Sequence, residues 1–266
     1  DYVPVIGLEV HVQLNTKTKL FCPCPNRSLG KTNSRICPVC LGHPGTLPVP
    51  NQTALQLAAI YGNALESNVQ KTVQFARKNY FYPDLPKGYQ TSQFTSPVCE
   101  GGTLSFYFKD SLRTIRLHHA HLEEDAGKLT HFNEKQFTGI DLNRCGAPLL
   151  EIVTEPDISS PEEARAFLTH LKRTLEFLEI SECDMEKGQL RCDANISIRK
   201  PETKQLNTRT EIKNLNSFKF VEKALKKEFK RQIEINNNQD DVIQCTLNYN
   251  EKTDSLTIIR VKEDAH

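Results

Sequence analysis

Pro4-Val5-Ile6-Gly7-Leu8-Glu9-Val10-His11-Val12-Gln13-Leu14 alternates with a period of two. Ile6, Leu8, Val10, Val12 and Leu14 point one way, and Val5, Gly7, Glu9, His11 and Gln13 the other. That is a strand with one buried face. Its second face sets Glu9, His11 and Gln13 in a row, successive side chains about 6 to 7 Å apart at the usual strand rise. The pattern returns in Leu190–Arg199, with Arg191, Asp193, Asn195, Ser197 and Arg199 on the polar side, and in residues 208–215, with Arg209, Glu211 and Lys213 on one face. A polar row of this kind is ordinarily solvated surface. Residues 104–108 and 112–117 flank Lys109-Asp110-Ser111 as a hairpin. Residues 137–143 and 148–156 read as extended pieces, the second with Glu151, Val153 and Glu155 on one side, and residues 243–262 as a closing hairpin.

Helices come singly between these strands. Ser160-Pro161-Glu162-Glu163 is a capping box with proline at the first helical position, followed at helical spacing by Ala164, Phe167, Leu168, Leu171, Leu175 and Leu178. Residues 51–65 carry a stripe of Ala54, Leu55, Ala58, Tyr61 and Leu65, and residues 217–233 one of Phe218, Val221, Leu225 and Phe229. Strictly alternating strands argue for antiparallel pairing with one covered face. The expected fold class is therefore α+β, a mainly antiparallel sheet flanked by helices. Residues 76–95, rich in aromatics, basic residues and proline, read as an ordered loop with short extended pieces.

With 34 basic against 33 acidic residues, the net charge of +1 excludes a polybasic binder, so any polyanion must be met by local patches. No run approaches the roughly 18 apolar residues of a membrane span. The start at Asp1-Tyr2-Val3-Pro4 lacks the flank and apolar stretch of a signal peptide, and the missing initiator Met suggests a trimmed chain. An odd count of nine cysteines, four of them between Cys22 and Cys40, suits metal binding in a reducing cytoplasm better than a disulfide framework.

Three constellations could carry chemistry. Cys22-x-Cys24 and Cys37-x-x-Cys40 resemble a zinc ribbon or knuckle, in which four thiolates close a tetrahedral structural site; unligated cysteines remain the other reading. Cys99, Cys145, Cys183, Cys192 and Cys245 are scattered and read as small buried hydrophobes. Hard oxygen ligands recur in Glu9 with His11, in His121-Leu122-Glu123-Glu124-Asp125-Ala126-Gly127-Lys128, and in Glu151 with Glu155. One imidazole among carboxylates suits magnesium or manganese, often beside nucleotide phosphates, while each group taken alone is also plain acidic surface. Neither a P-loop nor a Rossmann glycine pattern occurs, so any ATP is held by metal, lysine and arginine on a sheet. Helix 217–233 carries six basic residues against Glu222 and Glu228 and reads either as an RNA-phosphate contact or as a solvated face.

Together, Ile6–Leu14, Arg77-Lys78-Asn79-Tyr80-Phe81-Tyr82-Pro83-Asp84, HLEEDAGK at 121–128, DLNRCGAPLLEIVTEPD at 141–157, RCDANISIR at 191–199 and KNLNSF at 213–218 resemble the GatB family, the B-type subunits of the tRNA-dependent amidotransferase. The match runs in order from Val5 to about Val261. The archaeal GatE family is the nearest confusable one and is expected to carry an inserted domain for which this chain has no room. The resemblance implies one catalytic cradle domain over residues 1–266 with a zinc-knuckle segment at 21–45, and without the family's C-terminal helical and tail domains. It implies a cytoplasmic ligase that phosphorylates the side-chain carboxylate of mischarged Glu-tRNA(Gln), or Asp-tRNA(Asn), with ATP. The activated group is then amidated with ammonia channelled from a glutaminase (amidase) subunit, in a heterotrimer completed by a small third subunit. Glu9, His11, Glu124 and Glu151 match its magnesium-binding, catalytic positions, with Glu123 able to exchange roles with Glu124. Arg77, Lys78 and Lys128 suit ATP or acyl-phosphate oxygens. Cys22, Cys24, Cys37 and Cys40 fit the zinc-bearing variant. Two competing readings are a non-catalytic zinc-ribbon RNA-binding module, which leaves the Glu9/His11 face unused, and an ATP-dependent ligase acting on a small acid without partners.

Overall fold

A computed structural model describes residues 2–27, 30–132 and 136–261; Lys262, the last residue of the expected closing hairpin, and Ser28 and Leu29 of the knuckle segment lie outside the described residues. The strands are β1 (Val3–Gln13), β2 (Asn68–Val69), β3 (Ala76–Asn79), β4 (Tyr89–Ser92), β5 (Cys99–Glu100), β6 (Thr103–Phe108), β7 (Ser111–Glu124), β8 (Lys128–Phe132), β9 (Phe137–Asp141), β10 (Pro148–Thr154), β11 (Leu190–Arg199), β12 (Thr210–Leu215), β13 (Cys245–Asn250) and β14 (Ser255–Val261). The helices are α1 (Gln52–Ala64), α2 (Pro161–Phe177) and α3 (Phe218–Asn237).

β1 lies in the middle of a ten-stranded sheet of order β14-β13-β12-β11-β1-β10-β7-β5-β2, with β6 paired to β7. Its position follows from its sequence: Ile6, Leu8, Val10 and Val12 are fully buried in a core shared with Phe167, Leu168 and Leu171 of α2 and Val221 and Leu225 of α3. Two helices thus cover one face. The pairing is antiparallel as expected, except that β12 and β13 run parallel. A parallel pair needs a long crossover, and α3 supplies it. β3–β4 and β8–β9 form separate hairpins, the first being the extended part of the aromatic and basic loop.

Local signals set the ends of the elements. Ser160 Oγ accepts from the Glu163 amide (3.1 Å) to cap α2. The Glu163 carboxylate turns away from the reciprocal bond of a capping box and instead accepts from the Ser159 amide (2.7 Å) and pairs with Arg113. α3 runs past the expected 233 to Asn237, where Asn236 Oδ1 accepts from Asn207 Nδ2 (3.3 Å), and its inner face carries buried polar residues. Glu228 accepts from Thr210 Oγ1 (2.7 Å), and Gln232 donates to the Ile196 carbonyl (3.1 Å). β7 also outruns its hairpin, extending to Glu124 and so placing His121, Glu123 and Glu124 on a strand. The five scattered cysteines are buried. No helix among the described residues is long and apolar enough to cross a membrane.

Candidate active-site cleft

The sheet face away from α2 and α3 is open, and strand register arranges it in rows. His121, Glu151, His11 and Arg191 lie side by side on β7, β10, β1 and β11; the next row holds His119, Val153, Glu9 and Asp193; the one after it, Gly7, Asn195 and Glu211. Paired strands sit about 4.8 Å apart, so groups far apart in sequence become neighbours. A cleft of 440 Å³ over these rows is lined by Glu9, His11, Glu123, Glu151, Asp193 and Glu211, with Lys78, Arg191, Lys213, Tyr80 and Gln90 among its other walls.

Two ligand groups stand on this floor. His11, Glu123 and Glu151 offer donor atoms within 4.8 Å of one another, and so do Glu9, Asp193 and Glu211. In the first group, His11 Nδ1 lies 3.4 Å from Glu123 and 3.8 Å from Glu151, and His121 Nε2 lies 3.2 Å from Glu151 and 3.5 Å from Glu123. Burial opposes a charge on His121, but its bonds to Glu123 and Glu151 outweigh this and raise it to about 9; His11 moves the same way. Burial alone would raise Glu123 and Glu151, yet the two imidazoles hold both carboxyls below their ordinary range. Protons on histidine thus provide the positive charge that a cation would otherwise bring. The second group is partly neutralised by Lys213, 2.6 Å from Asp193 and 2.8 Å from Glu211. Glu9 forms no ion pair among the described residues and accepts only from Asn195 (2.8 Å). Burial and the Glu151 charge push its carboxyl up. A divalent cation is the group that such a set fits: oxygen-rich, with one imidazole and excess negative charge.

Cationic donors face the same space. Arg191 is tied to Asp125, its Nη2 lying 2.9 Å from the carboxylate, while its Nε, shielded from solvent, has no hydrogen-bond partner among the described residues. A guanidinium edge with one donor uncommitted, above a carboxylate-lined floor, suits a phosphate oxygen.

Of the expected residues, the structure brings Glu9, His11 and Glu151 together and adds Glu123; Glu124 is the correction. Consecutive strand residues face opposite sides, so Glu123 enters the cleft and Glu124 leaves it. The Glu124 carboxylate is taken by Lys87 and by the Thr91 amide (3.3 Å). Lys78 lines the cleft. Its neighbour Arg77 instead lies over the Tyr89 ring, 4.6 Å from the centroid. Lys128 is exposed at the start of β8 and absent from the cleft lining. Asp193, Glu211, Lys213, Arg191 and Asn195 were missed as site residues; their signal was the polar row on each of two strands, read as solvated because adjacency was not visible.

Cys22, Cys24, Cys37 and Cys40 also converge, their sulfurs within 4.8 Å of one another. Hydrogen bonding with Cys22 pulls Cys40 down to about 4, Lys19 adding its charge, while the same bond holds Cys22 far up. Lys19 is buried at 1% exposure, its Nζ donating to the Arg35 carbonyl (2.8 Å) and lying 3.6 Å from Cys40 Sγ. Four soft donors with a buried counter-charge fit zinc in a closed site. The knuckle abuts Lys87: Gly42, at φ +69°, has a position where a Cβ would stand 2.5 Å from Lys87 Cγ, so only glycine lets Lys87 pass to Glu124.

A family profile described as the GatB/GatE catalytic domain matches residues 4–266. Proteins named as the B subunit of aspartyl/glutamyl-tRNA(Asn/Gln) amidotransferase are similar throughout: 48% identical in Ruminiclostridium cellulolyticum over 100% of this chain and 55% of that protein, 48% in Persephonella marina over 100% and 56%, and 49% in Thermotoga petrophila over 99% and 56%. The chain spans little more than half the length of these relatives. A profile covering nearly every residue, and an acidic cleft built from the matching strands, lead to one assignment: the chain belongs to the GatB/GatE catalytic-domain family.

Proposed function

We propose that this chain is the activating part of a tRNA-dependent amidotransferase, a cytoplasmic ligase. It phosphorylates the side-chain carboxylate of Glu-tRNA(Gln), or Asp-tRNA(Asn), with ATP and then admits ammonia released by a glutaminase (amidase) subunit, in a heterotrimer completed by a small third subunit. The observation that carries the reading is the single open face on which Glu9, His11, Glu123, Glu151, Asp193 and Glu211 meet Lys78, Arg191 and Lys213. A carboxylate is a poor acceptor for ammonia until one oxygen becomes a leaving group, and phosphoryl transfer is driven mainly by positioning and charge neutralisation.

Magnesium or manganese held by His11, Glu123 and Glu151, with Glu9 and Asp193 alongside, would supply charge neutralisation at the phosphates. The chain's own groups do the rest. Arg191, anchored by Asp125 and with its Nε left unspent, binds a phosphate oxygen. Lys213 holds Asp193 and Glu211 in place against their mutual repulsion. His121 orients Glu123 and Glu151. Lys78 and Tyr80, carried on and beside β3, close the cleft from above and limit water. The zinc knuckle is structural, and the Glu124–Lys87 pair lies against it. The test is transfer of labelled γ-phosphate onto Glu-tRNA by the reconstituted enzyme without any ammonia source. Labelled acyl phosphate is the expected product; ATP use that is independent of mischarged tRNA would instead favour a small-acid ligase.

A further inference from the structure

β7 slips its register at His118. It pairs with β10 through His119 and Val153 and resumes at Leu117 and Thr154, so His118 is the extra residue of a β-bulge. Consecutive strand residues face opposite sides of a sheet; a bulge cancels that alternation and re-aims a side chain. Here it turns His118 toward its neighbour: the two Nδ1 atoms lie 2.6 Å apart, with the rings edge to face at 74°. His119 in turn stacks on His121, its Nε2 3.1 Å from His121 Nδ1. Three imidazoles therefore run in line from exposed His118 through half-buried His119 to buried His121, whose Nε2 reaches Glu151 and Glu123.

Counting hydrogens gives this line a direction. A carboxylate only accepts, so His121 Nε2 carries a hydrogen. The neutral ring is then bare at Nδ1 and needs a donor, and the group that reaches it is His119 Nε2. His119 is thereby bare at Nδ1 and accepts from His118 Nδ1, which leaves His118 Nε2 to solvent. Each nitrogen has one role and none conflicts. Burial and the two neighbouring imidazoles pull His119 down to about 4, so it stays neutral and can donate at one nitrogen while accepting at the other. No other partner competes for it: in register it faces Val153 on β10 and Glu100 on β5, and it forms no ion pair among the described residues.

We propose that His119 is a positioning residue of the metal-ligand floor: donating from Nε2 to His121 Nδ1, it fixes the tautomer and rotation of His121, which then holds Glu123 and Glu151 at the spacing a divalent cation needs. The proposal rests on the metal-site reading above and adds the group that stands behind His121. Turned half a revolution about its Cβ–Cγ bond, the His121 ring would put Cε1 where Nε2 stands, and both carboxylates would lose their donor. A partner on Nδ1 makes that turn unfavourable.

The test measures the Mn²⁺ affinity of the intact amidotransferase by electron paramagnetic resonance, alongside the rate of tRNA-dependent transfer of labelled γ-phosphate. His119→Phe keeps a stacked ring and removes both nitrogens; Mn²⁺ binding should weaken roughly ten- to a hundred-fold. In a His121→Gln background the same substitution should change it by less than about two-fold, because no imidazole is left to orient. A packing role would show the full loss in both backgrounds. His119→Gln and His119→Asn form a second pair, which serves even if the phenylalanine variant does not fold. Glutamine sets an amide N–H where Nε2 stood and asparagine where Nδ1 stood, so only glutamine should stay within about three-fold of wild type. Unchanged affinity in His119→Phe, equal loss in the glutamine and asparagine variants, or additive loss with His121→Gln overturns the positioning role. The transfer rate should show the same coupling of His119 to His121. Wild-type enzyme that binds no Mn²⁺ would sink the metal-site reading, and coupling in the transfer rate would then decide the positioning role; enzyme that binds Mn²⁺ but transfers no phosphate would sink the activity and leave the affinities to decide.

Discussion

The knuckle and the acidic cleft each bring candidate ligand atoms within 4.8 Å of one another, yet the two regions solve opposite problems. The knuckle gathers four sulfurs from one short segment, closes on itself and keeps one buried lysine as its own counter-charge. The cleft gathers oxygens and an imidazole from β1, β7, β10, β11 and β12, and leaves one side open with cations waiting above it. A closed soft-ligand set can hold a fold but has no free position for a substrate; an open hard-ligand set gives up stability to keep one. The difference teaches that burial of charge is tolerated where it is finished, as at Lys19, and becomes useful where it is left unfinished, as at Glu9.

The largest effects should come from breaking the cleft. Glu123→Gln or Glu151→Gln removes a charged ligand, and ATP-dependent conversion of Glu-tRNA should fall by about a hundred-fold or more. Ammonium salts should not restore it, because added nucleophile cannot replace a leaving group that was never made. Glu124→Gln is the sharper variant. Its carboxylate faces Lys87, so Mn²⁺ affinity measured by calorimetry should stay within a few-fold of wild type. Loss of Mn²⁺ binding in Glu124→Gln with retention in Glu123→Gln would reverse the assignment of the two neighbours.

Breaking the knuckle should cost stability before chemistry. Cys40→Ser should abolish bound zinc, read by elemental analysis, and lower Tm by roughly 5 to 10 °C. Lys19→Met keeps the length of the side chain while removing its charge beside Cys40, 3.6 Å away. It should keep zinc but release it faster to a chelator, about ten-fold being a reasonable scale for an outer-shell change. Unchanged release would make Lys19 a packing residue only.

How much of this was legible in the sequence follows from the same contrast. The knuckle is local, so the spacing of Cys22, Cys24, Cys37 and Cys40 was enough to foresee convergence. β1, α2 and the buried faces of β11 and β12 were also legible, because period and capping are local signals. The cleft was legible only in fragments. Asp193 and Glu211 each sit on a strand whose polar row looked solvated, and what turns those rows into one floor is the sheet order β12-β11-β1-β10-β7, which no local pattern encodes. The resemblance pointed to Glu9, His11, Glu151 and Glu124, noting only that Glu123 could exchange roles with Glu124. Strand alternation separates them once β7 is known to run to Glu124.

The smallest effect expected is in pH, and here the two regions should differ in sign. In the metal-free chain, His121 is raised from 6.5 to about 9 by Glu123 and Glu151 against the opposing effect of burial, so its contribution to stability is fully present below pH 6.5 and lost as pH climbs through 9. Tm of metal-free protein should therefore drop by a few degrees, on the order of 2 to 6 °C, between pH 6.5 and 9. Saturating Mn²⁺ should flatten or reverse the slope, since a metal-ligating imidazole must be neutral and the cation takes over the role of the proton. Zinc in the knuckle runs the other way: protons compete with it for the thiolates, so its release should grow as pH falls. A chain whose metal-free Tm rises between pH 6.5 and 9, with His121→Gln giving the same profile, would mean that the histidines do not hold the carboxylates together. The cleft would then lack the excess charge that a cation is invoked to balance.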